Sequence, residues 1–196
     1  VGGREAVAAA FAAQPRERFL PPEARASAGV DEPLGIGQGQ TNSQPRTVRA
    51  MLELLDVRSG MRVLDVGSGS GWTTALLAEL TGPSGSVLGL ERLPDLVAFG
   101  AANVAGAGVP WARVEAADPR RLGSPDEGPF DRILVSAMAG RLPPDLVAQL
   151  VPGGVLVVPV QGRMLRVVRR LPPEDDPADA EVTEHGHYRF VPLVLP

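Results

Sequence analysis

Three acidic side chains sit where short apolar runs end, and a glycine-rich turn lies between the first two. Asp65 belongs to Val63-Leu64-Asp65-Val66, Glu91 follows Val87 to Leu90, and Asp118 follows Ala112 to Ala116. The turn is Gly67-Ser68-Gly69-Ser70-Gly71, and it leads through Trp72 into an apolar stretch from Thr73 to Leu80. A strand, a glycine turn and a helix start bring a ligand against backbone N–H groups. An acid ending the second strand, about 20 residues past such a turn, can accept from both hydroxyls of a ribose. One ending the third strand could accept from the amino group of an adenine. Ser136 closes a fourth run, Phe130 to Ser136, near the place where transfer would occur.

The spacing narrows the ligand. A dinucleotide fingerprint is G-x-G-x-x-G, and Trp72 stands where its third glycine should fall. A P-loop requires a lysine, and the chain has none. What remains resembles motif I of S-adenosylmethionine-dependent methyltransferases, with Asp65 ahead of the first glycine. That resemblance implies S-adenosyl-L-methionine as methyl donor and S-adenosyl-L-homocysteine as product. The expected contacts are Asp65, Gly67, Ser68, Gly69, Gly71, Glu91, Arg92, Asp118 and Pro119.

These residues need a scaffold, and the chain supplies one. Its 196 residues, 44% hydrophobic, suit one domain with a sizeable core. The formal net charge of −4 gives no basic field for a nucleic acid backbone, so no nucleic acid partner is expected. There are no cysteines, which excludes disulfides, thiolate zinc sites and a cysteine nucleophile and fits a cytoplasmic location. No run is long and apolar enough to predict a membrane span or a secretory segment. The first residue is Val1, so a trimmed N-terminus is expected.

Arg4 to Ala13 predicts a helix that Pro15 ends, and Phe19-Leu20-Pro21-Pro22 a packed loop. Asp31 to Gln44 is expected to be irregular. A helix should start at Pro45, with Ser43 or Gln44 near its N-cap, and run to about Leu55. Strands and helices then alternate: helices over Leu93 to Gly106 and Pro143 to Leu150, and a fifth strand over Val155 to Val160. Met164 to Leu171 and Tyr188 to Leu195 read as two antiparallel strands, with Pro172 to Glu184 as a solvent loop. The fold class is α/β: a Rossmann-like, doubly wound, mostly parallel sheet with helices on both faces and an antiparallel C-terminal strand pair. Residues 1–58 would carry the N-terminal helices and acceptor-side loop, 59–160 the cofactor-binding core, and 161–196 the terminal strands of a single domain.

What is missing bears on the acceptor. Methyltransferases acting on base or amide nitrogens often carry Asn/Asp-Pro-Pro-Tyr/Phe after the fourth strand; here that place reads Ser136-Ala137-Met138-Ala139-Gly140. A phenol would want a general base, yet the only histidines are His185 and His187, far along the chain. No metal site is expected. A carboxylate, with a reference pKa of about 4, is already ionised at neutral pH and needs no base.

The segment Pro33-Leu34-Gly35-Ile36-Gly37-Gln38-Gly39-Gln40-Thr41-Asn42-Ser43-Gln44-Pro45 closely resembles the Pro-Leu-Pro-Ile-Gly-x-Gly-Gln-Thr-Ile-Ser-x-Pro element of protein-L-isoaspartate O-methyltransferases. Phe19-Leu20-Pro21, Glu91-Arg92, Pro129 to Ile133, Gln149 to Gly154 and Tyr188 to Leu193 continue the similarity in order. The resemblance implies a carboxyl methyltransferase that esterifies isoaspartyl residues in damaged proteins or peptides. The ester then collapses through a succinimide and returns some chains to aspartate. Ser43 matches the family's active-site serine and would orient the acceptor carboxylate. Gln40, Thr41, Asn42 and Ser43 would also line the cofactor, Thr41 and Asn42 at its methionine end. A monomer acting on isoaspartyl- or aspartyl-containing protein or peptide, with no membrane partner, is expected. Departures from the family pattern gather on the acceptor side: Asn42 for an apolar residue, Ala26 to Gly29 for a tyrosine-bearing stretch, and Met138 to Gly140 for an Ala-rich turn. Asp118-Pro119 replaces Asp-Gly beside the adenine. Two alternatives stay open: a relative that methylates an aspartate carboxylate of a biosynthetic peptide, and a non-catalytic cofactor-gated binding protein.

Overall fold

The structure is a computed structural model that describes residues 3–170 and 180–194. Its centre is β3 (Arg62–Val66), a strand with a parallel partner on each side. On one side lie β4 (Ser86–Glu91) and then β5 (Ala112–Ala116); on the other lie β6 (Phe130–Val135) and then β7 (Leu150–Val160). The chain therefore builds outward from β3 in one direction, returns, and builds outward in the other. The switch in strand order falls between β3 and β6. Two antiparallel strands, β8 (Arg163–Arg169) and β9 (Ala180–His187), complete a seven-stranded sheet.

The inner strands read as unbroken apolar runs because both faces are buried. Val63, Val87, Leu134, Val155 and Val157 point to one face, where α2 (Pro45–Leu55) and α3 (Trp72–Thr81) cover them and α1 (Gly3–Ala13) packs on those two helices. Leu64, Leu88, Ile133, Leu156 and Val158 point to the other, against Leu146 and Val147 of the short α5 (Pro144–Ala148). α2 places Val48, Met51, Leu52 and Leu55 on its buried stripe, the spacing of one helix face. It starts at Pro45, whose fixed φ suits the first helical position and whose missing N–H costs nothing there. Gln44 is the N-cap and makes no side-chain cap bond. Ser43 therefore lies outside the helix.

Two expectations are corrected here. The segment before α2 is not irregular: β1 (Leu34–Gly37) and β2 (Gln40–Asn42) form a small antiparallel hairpin. Gln38 and Gly39 turn it with φ of 54° and 69°, the left-handed pair that two-residue hairpins use. The second tail strand is also displaced. β8 pairs with β9, whose first residues fall inside the stretch expected to be loop, and residues 171–179 lie outside the described ones. Of the strand expected at Tyr188 to Leu195, the described residues form no member of the sheet. They cross the end of β6 instead, where the Met138 N–H donates to Val191 O at 2.7 Å and the Leu193 N–H to Met138 O at 2.8 Å.

The helix after β4, α4 (Pro94–Ala105), packs its backbone on the glycine turn at Gly100. A Cβ on Gly100 would lie 2.7 Å from the carbonyl oxygen of Gly69. A Cβ on Gly71, with φ of +83°, would lie 2.8 Å from Gly100 O. Backbone thus packs on backbone, and neither partner can swing aside. Alanine at position 100 would add about 1 kcal/mol of helix propensity, but forced overpacking costs typically about 1–3 kcal/mol. Gly100→Ala is expected to lower stability in urea unfolding despite the better helix former; an unchanged or raised midpoint would show that the turn yields.

Candidate active site

Asp65 lies at the inner end of the turn and is completely buried. Its Oδ2 accepts from the hydroxyls of Thr73 and Thr74, each at 2.7 Å, while Oδ1 has no partner. Burial pushes its pKa up to about 6, against the two hydroxyl bonds, and the nearby Glu91 carboxylate adds to the rise. Beyond Asp65 the chain enters left-handed backbone at Gly67, Gly69 and Gly71, with φ of 79°, 53° and 83°. At these angles L side chains are strained, and glycine is not.

Glu91, at the end of β4, accepts from three backbone N–H groups. Oε2 takes Gly69 N–H at 3.0 Å; Oε1 takes Arg92 N–H at 2.7 Å and Leu93 N–H at 3.0 Å. Glu91 is 6% exposed, yet its carboxylate retains lone pairs toward the space above the sheet. Asp118, beyond β5, is partly exposed, and bonds from the Arg120 backbone and side chain hold its pKa below the usual carboxylate range.

These groups meet above the carboxyl ends of β3, β4 and β6, the crevice that open parallel sheets offer to ligands. A cavity of about 450 Å³ opens there, lined by Gln40, Thr41, Gly67, Gly69, Glu91, Arg92, Asp118 and Pro119. Ile36, Leu90, Leu122 and the tail residues Val191 to Val194 add apolar walls. The size and mixed lining suit a nucleoside-sized ligand. A second cleft of about 720 Å³ is lined by Thr41, Ser43, Gln44, Arg46, Ser136, His187 and the tail from Tyr188 to Val191. A small polar cavity of about 30 Å³ touches Thr41, Asn42, Ser43, Ser68, Ser70 and Ser136, between the hairpin loop and the glycine turn. Ser68 Oγ is buried there without a partner. Ser43 lines both this cavity and the second cleft, and Thr41 and Ser136 line all three spaces.

Two of the residues expected at the ligand stand behind the wall. Asp65 lines none of these spaces, and Gly71 packs against Gly100 and Val104. The tail walls and the hairpin's Ile36 were not foreseen. Nor was Arg16, whose buried guanidinium donates to the Asn42 side chain and to the carbonyls of Val30, Glu32, Asn42 and Ser43. An isolated arginine ahead of a Phe-Leu-Pro loop gives no periodic signal. His185 shares a 2.8 Å hydrogen bond with Thr183.

The raised Asp65 pKa has a stability signature. Its folded value lies above the ordinary 3.8, so the native state holds this proton more tightly and loses stability as pH rises from about 4 through about 6. The change is at most about 3 kcal/mol. Relative to wild type, Asp65→Asn should therefore gain stability across that window, measured by urea unfolding at pH 4, 5, 6 and 7. A constant difference between the two proteins would contradict it.

A model of the family described as protein-L-isoaspartate(D-aspartate) O-methyltransferase matches residues 2–195. A protein-L-isoaspartate O-methyltransferase of Methanopyrus kandleri is 42% identical over 189 residues, covering 96% of this chain and 83% of that one. One from Pyrococcus horikoshii is 42% identical over 195 residues, 97% of this chain and 85% of that one. Among solved structures, a Plasmodium falciparum protein-L-isoaspartate O-methyltransferase in complex with S-adenosyl-L-homocysteine superposes with a TM-score of 0.83. It is 25% identical, over 97% of this chain and 90% of that one. With its switch-point crevice, its glycine turn and its serine between two clefts, the chain belongs to the protein-L-isoaspartate(D-aspartate) O-methyltransferase family.

Proposed function

We propose that this protein transfers a methyl group from S-adenosyl-L-methionine to the side-chain carboxylate of L-isoaspartyl residues in damaged proteins or peptides, as a step of protein repair. The observation that carries the reading is the place of Ser43, on the wall of the open cleft and of the small cavity against the glycine turn. A donor in one space and a carboxylate in the other would meet at that point.

The residues fit the donor. Glu91, locked by three N–H groups, presents a fixed carboxylate to the ribose hydroxyls, with Arg92 beside it. Gly67 and Gly69 leave the main chain open to the ligand, and Asp118 and Pro119 border the adenine end. Gln40, Thr41 and Ser68 surround the amino-acid end. Asp65 and Glu91 make the region electronegative, which favours a cation. When bound, S-adenosyl-L-methionine supplies an electrophilic methyl on a sulfonium.

The acceptor carboxylate arrives as the nucleophile, so no side chain has to remove a proton. Ser43 lies just before α2, where Pro45 has no N–H and the Arg46 N–H already donates to Asp31 Oδ1 at 3.0 Å, so the acceptor carboxylate depends on Ser43 itself. Its hydroxyl makes no hydrogen bond within the protein among the described residues and is available to orient one carboxylate oxygen. The other oxygen forms the new bond to the methyl carbon as the carbon–sulfur bond breaks and its electrons pass to sulfur. Catalysis is then chiefly a matter of alignment.

The reading takes the chain to act as a cytoplasmic monomer on protein or peptide segments, with neither nucleic acid nor membrane as partner. The net charge of −4 supports the part that concerns nucleic acid. Among the described residues no helix is long and apolar enough to cross a membrane.

Methyl transfer to a matched pair of isoaspartyl and aspartyl peptides tests the function directly. Transfer to the isoaspartyl peptide is expected; a protein that binds the donor but methylates only the aspartyl peptide would have a different substrate. Glu91→Ala should weaken donor binding by about 1–3 kcal/mol, the worth of charge-assisted bonds. Calorimetry showing unchanged affinity would remove Glu91 from the ribose site.

A further inference from the structure

Asn42 carries more than a place on a cavity wall. The residue is 5% exposed and both ends of its side chain are engaged. Oδ1 accepts from Arg16 Nε at 2.7 Å, and Nδ2 donates to Ser70 Oγ at 3.1 Å. Ser70 belongs to the glycine turn, and its carbonyl accepts from Asn103 Nδ2 of α4 at 2.9 Å. Arg16 meanwhile donates to the carbonyls of Asn42 and Ser43, each at 3.0 Å, and to Glu32 O at 2.8 Å. Its guanidinium also lies over the Trp72 ring, 5.6 Å from the centroid, on the first residue of α3. A continuous buried line of polar contacts thus runs from the acceptor loop to the turn.

We propose that Asn42 is a positioning residue: with Arg16 and Ser70 it forms a strut that holds Ser43 in register with the glycine turn, and so sets the alignment of donor and acceptor. A neutral carboxamide presents an acceptor and a donor at opposite corners of one rigid plane, so it can link an arginine to a hydroxyl without adding charge. The strut touches the loop on both sides of the Asn42–Ser43 peptide, once through the side chain and twice through carbonyls. A loop fixed at those points cannot slide along the turn without breaking several hydrogen bonds together. In-line transfer is sensitive to displacements of an ångström or less, so the strut acts on rate more than on binding.

The inference rests on the reading of Ser43 given above. The experiment is steady-state methylation of an isoaspartyl peptide by the full chain, with donor affinity measured separately by calorimetry. In Asn42→Leu, close in size but without either hydrogen bond, kcat should fall on the order of ten- to a hundred-fold. The peptide KM and the donor Kd should stay within about two-fold. Added to Ser43→Ala, the same substitution should lower kcat no further, because the group it positions is gone. Should Asn42→Leu fail to fold, Ser70→Ala cuts the strut at its other end and carries the same expectations. A wild-type kcat, a loss confined to donor affinity, or an equal loss with and without the Ser43 hydroxyl overturns the strut. A full rate for Ser43→Ala, or no transfer by the wild type, instead defeats the reading on which it rests.

Discussion

Glu91 holds the end of one strand to the middle of the glycine turn through a single carboxylate. The turn cannot drift, because Gly69 N–H is on one oxygen while the chain entering α4 is on the other. α4 then returns the constraint from outside, where Gly100 sits too close to Gly69 O for any side chain to intervene. Below, Asp65 engages the first turn of α3 through two threonine hydroxyls. The ligand crevice is the space left over by these contacts. Its depth and direction follow from the close approach of backbone to backbone, and apolar burial on both sheet faces supplies the rigidity.

The site therefore has two kinds of residue. Some face the ligand spaces, such as Glu91, Thr41 and Ser43. Others, such as Asp65, Gly71, Gly100 and Arg16, decide where the first kind stand. Asp65 shows how strained that second role can be. A buried carboxylate with one unpartnered oxygen is unfavourable by itself. Beside a crevice suited to a cationic ligand, the cost has a use.

Much of the framework was legible before any coordinates, for a physical reason. Strands β3, β4 and β6 and the later part of β7 are buried on both faces, so they appear as apolar runs punctuated by glycine, proline or acid, and the acids at the strand ends fall where the crevice opens. The hairpin of β1 and β2 was hidden because seven residues rich in glycine carry no period that a window can register. β9 was hidden because its residues are largely exposed and do not alternate. Arg16 could not have been found at all from pattern: its burial depends on carbonyls brought in from residues 30, 32, 42 and 43. The role proposed for Ser43 came only through resemblance, since its own neighbourhood offered Ser43 or Gln44 as a helix cap, and Gln44 takes that position.

The chain's last described residues form a partition shared by two rooms. Val191 borders both the crevice of about 450 Å³ and the cleft of about 720 Å³, and its carbonyl is pinned to Met138. Neither space can be widened there without intruding on the other. Changes in substrate range during divergence would then be steered away from the tail and toward the opposite wall, around Gln44, Arg46 and Thr47, which border the open cleft alone.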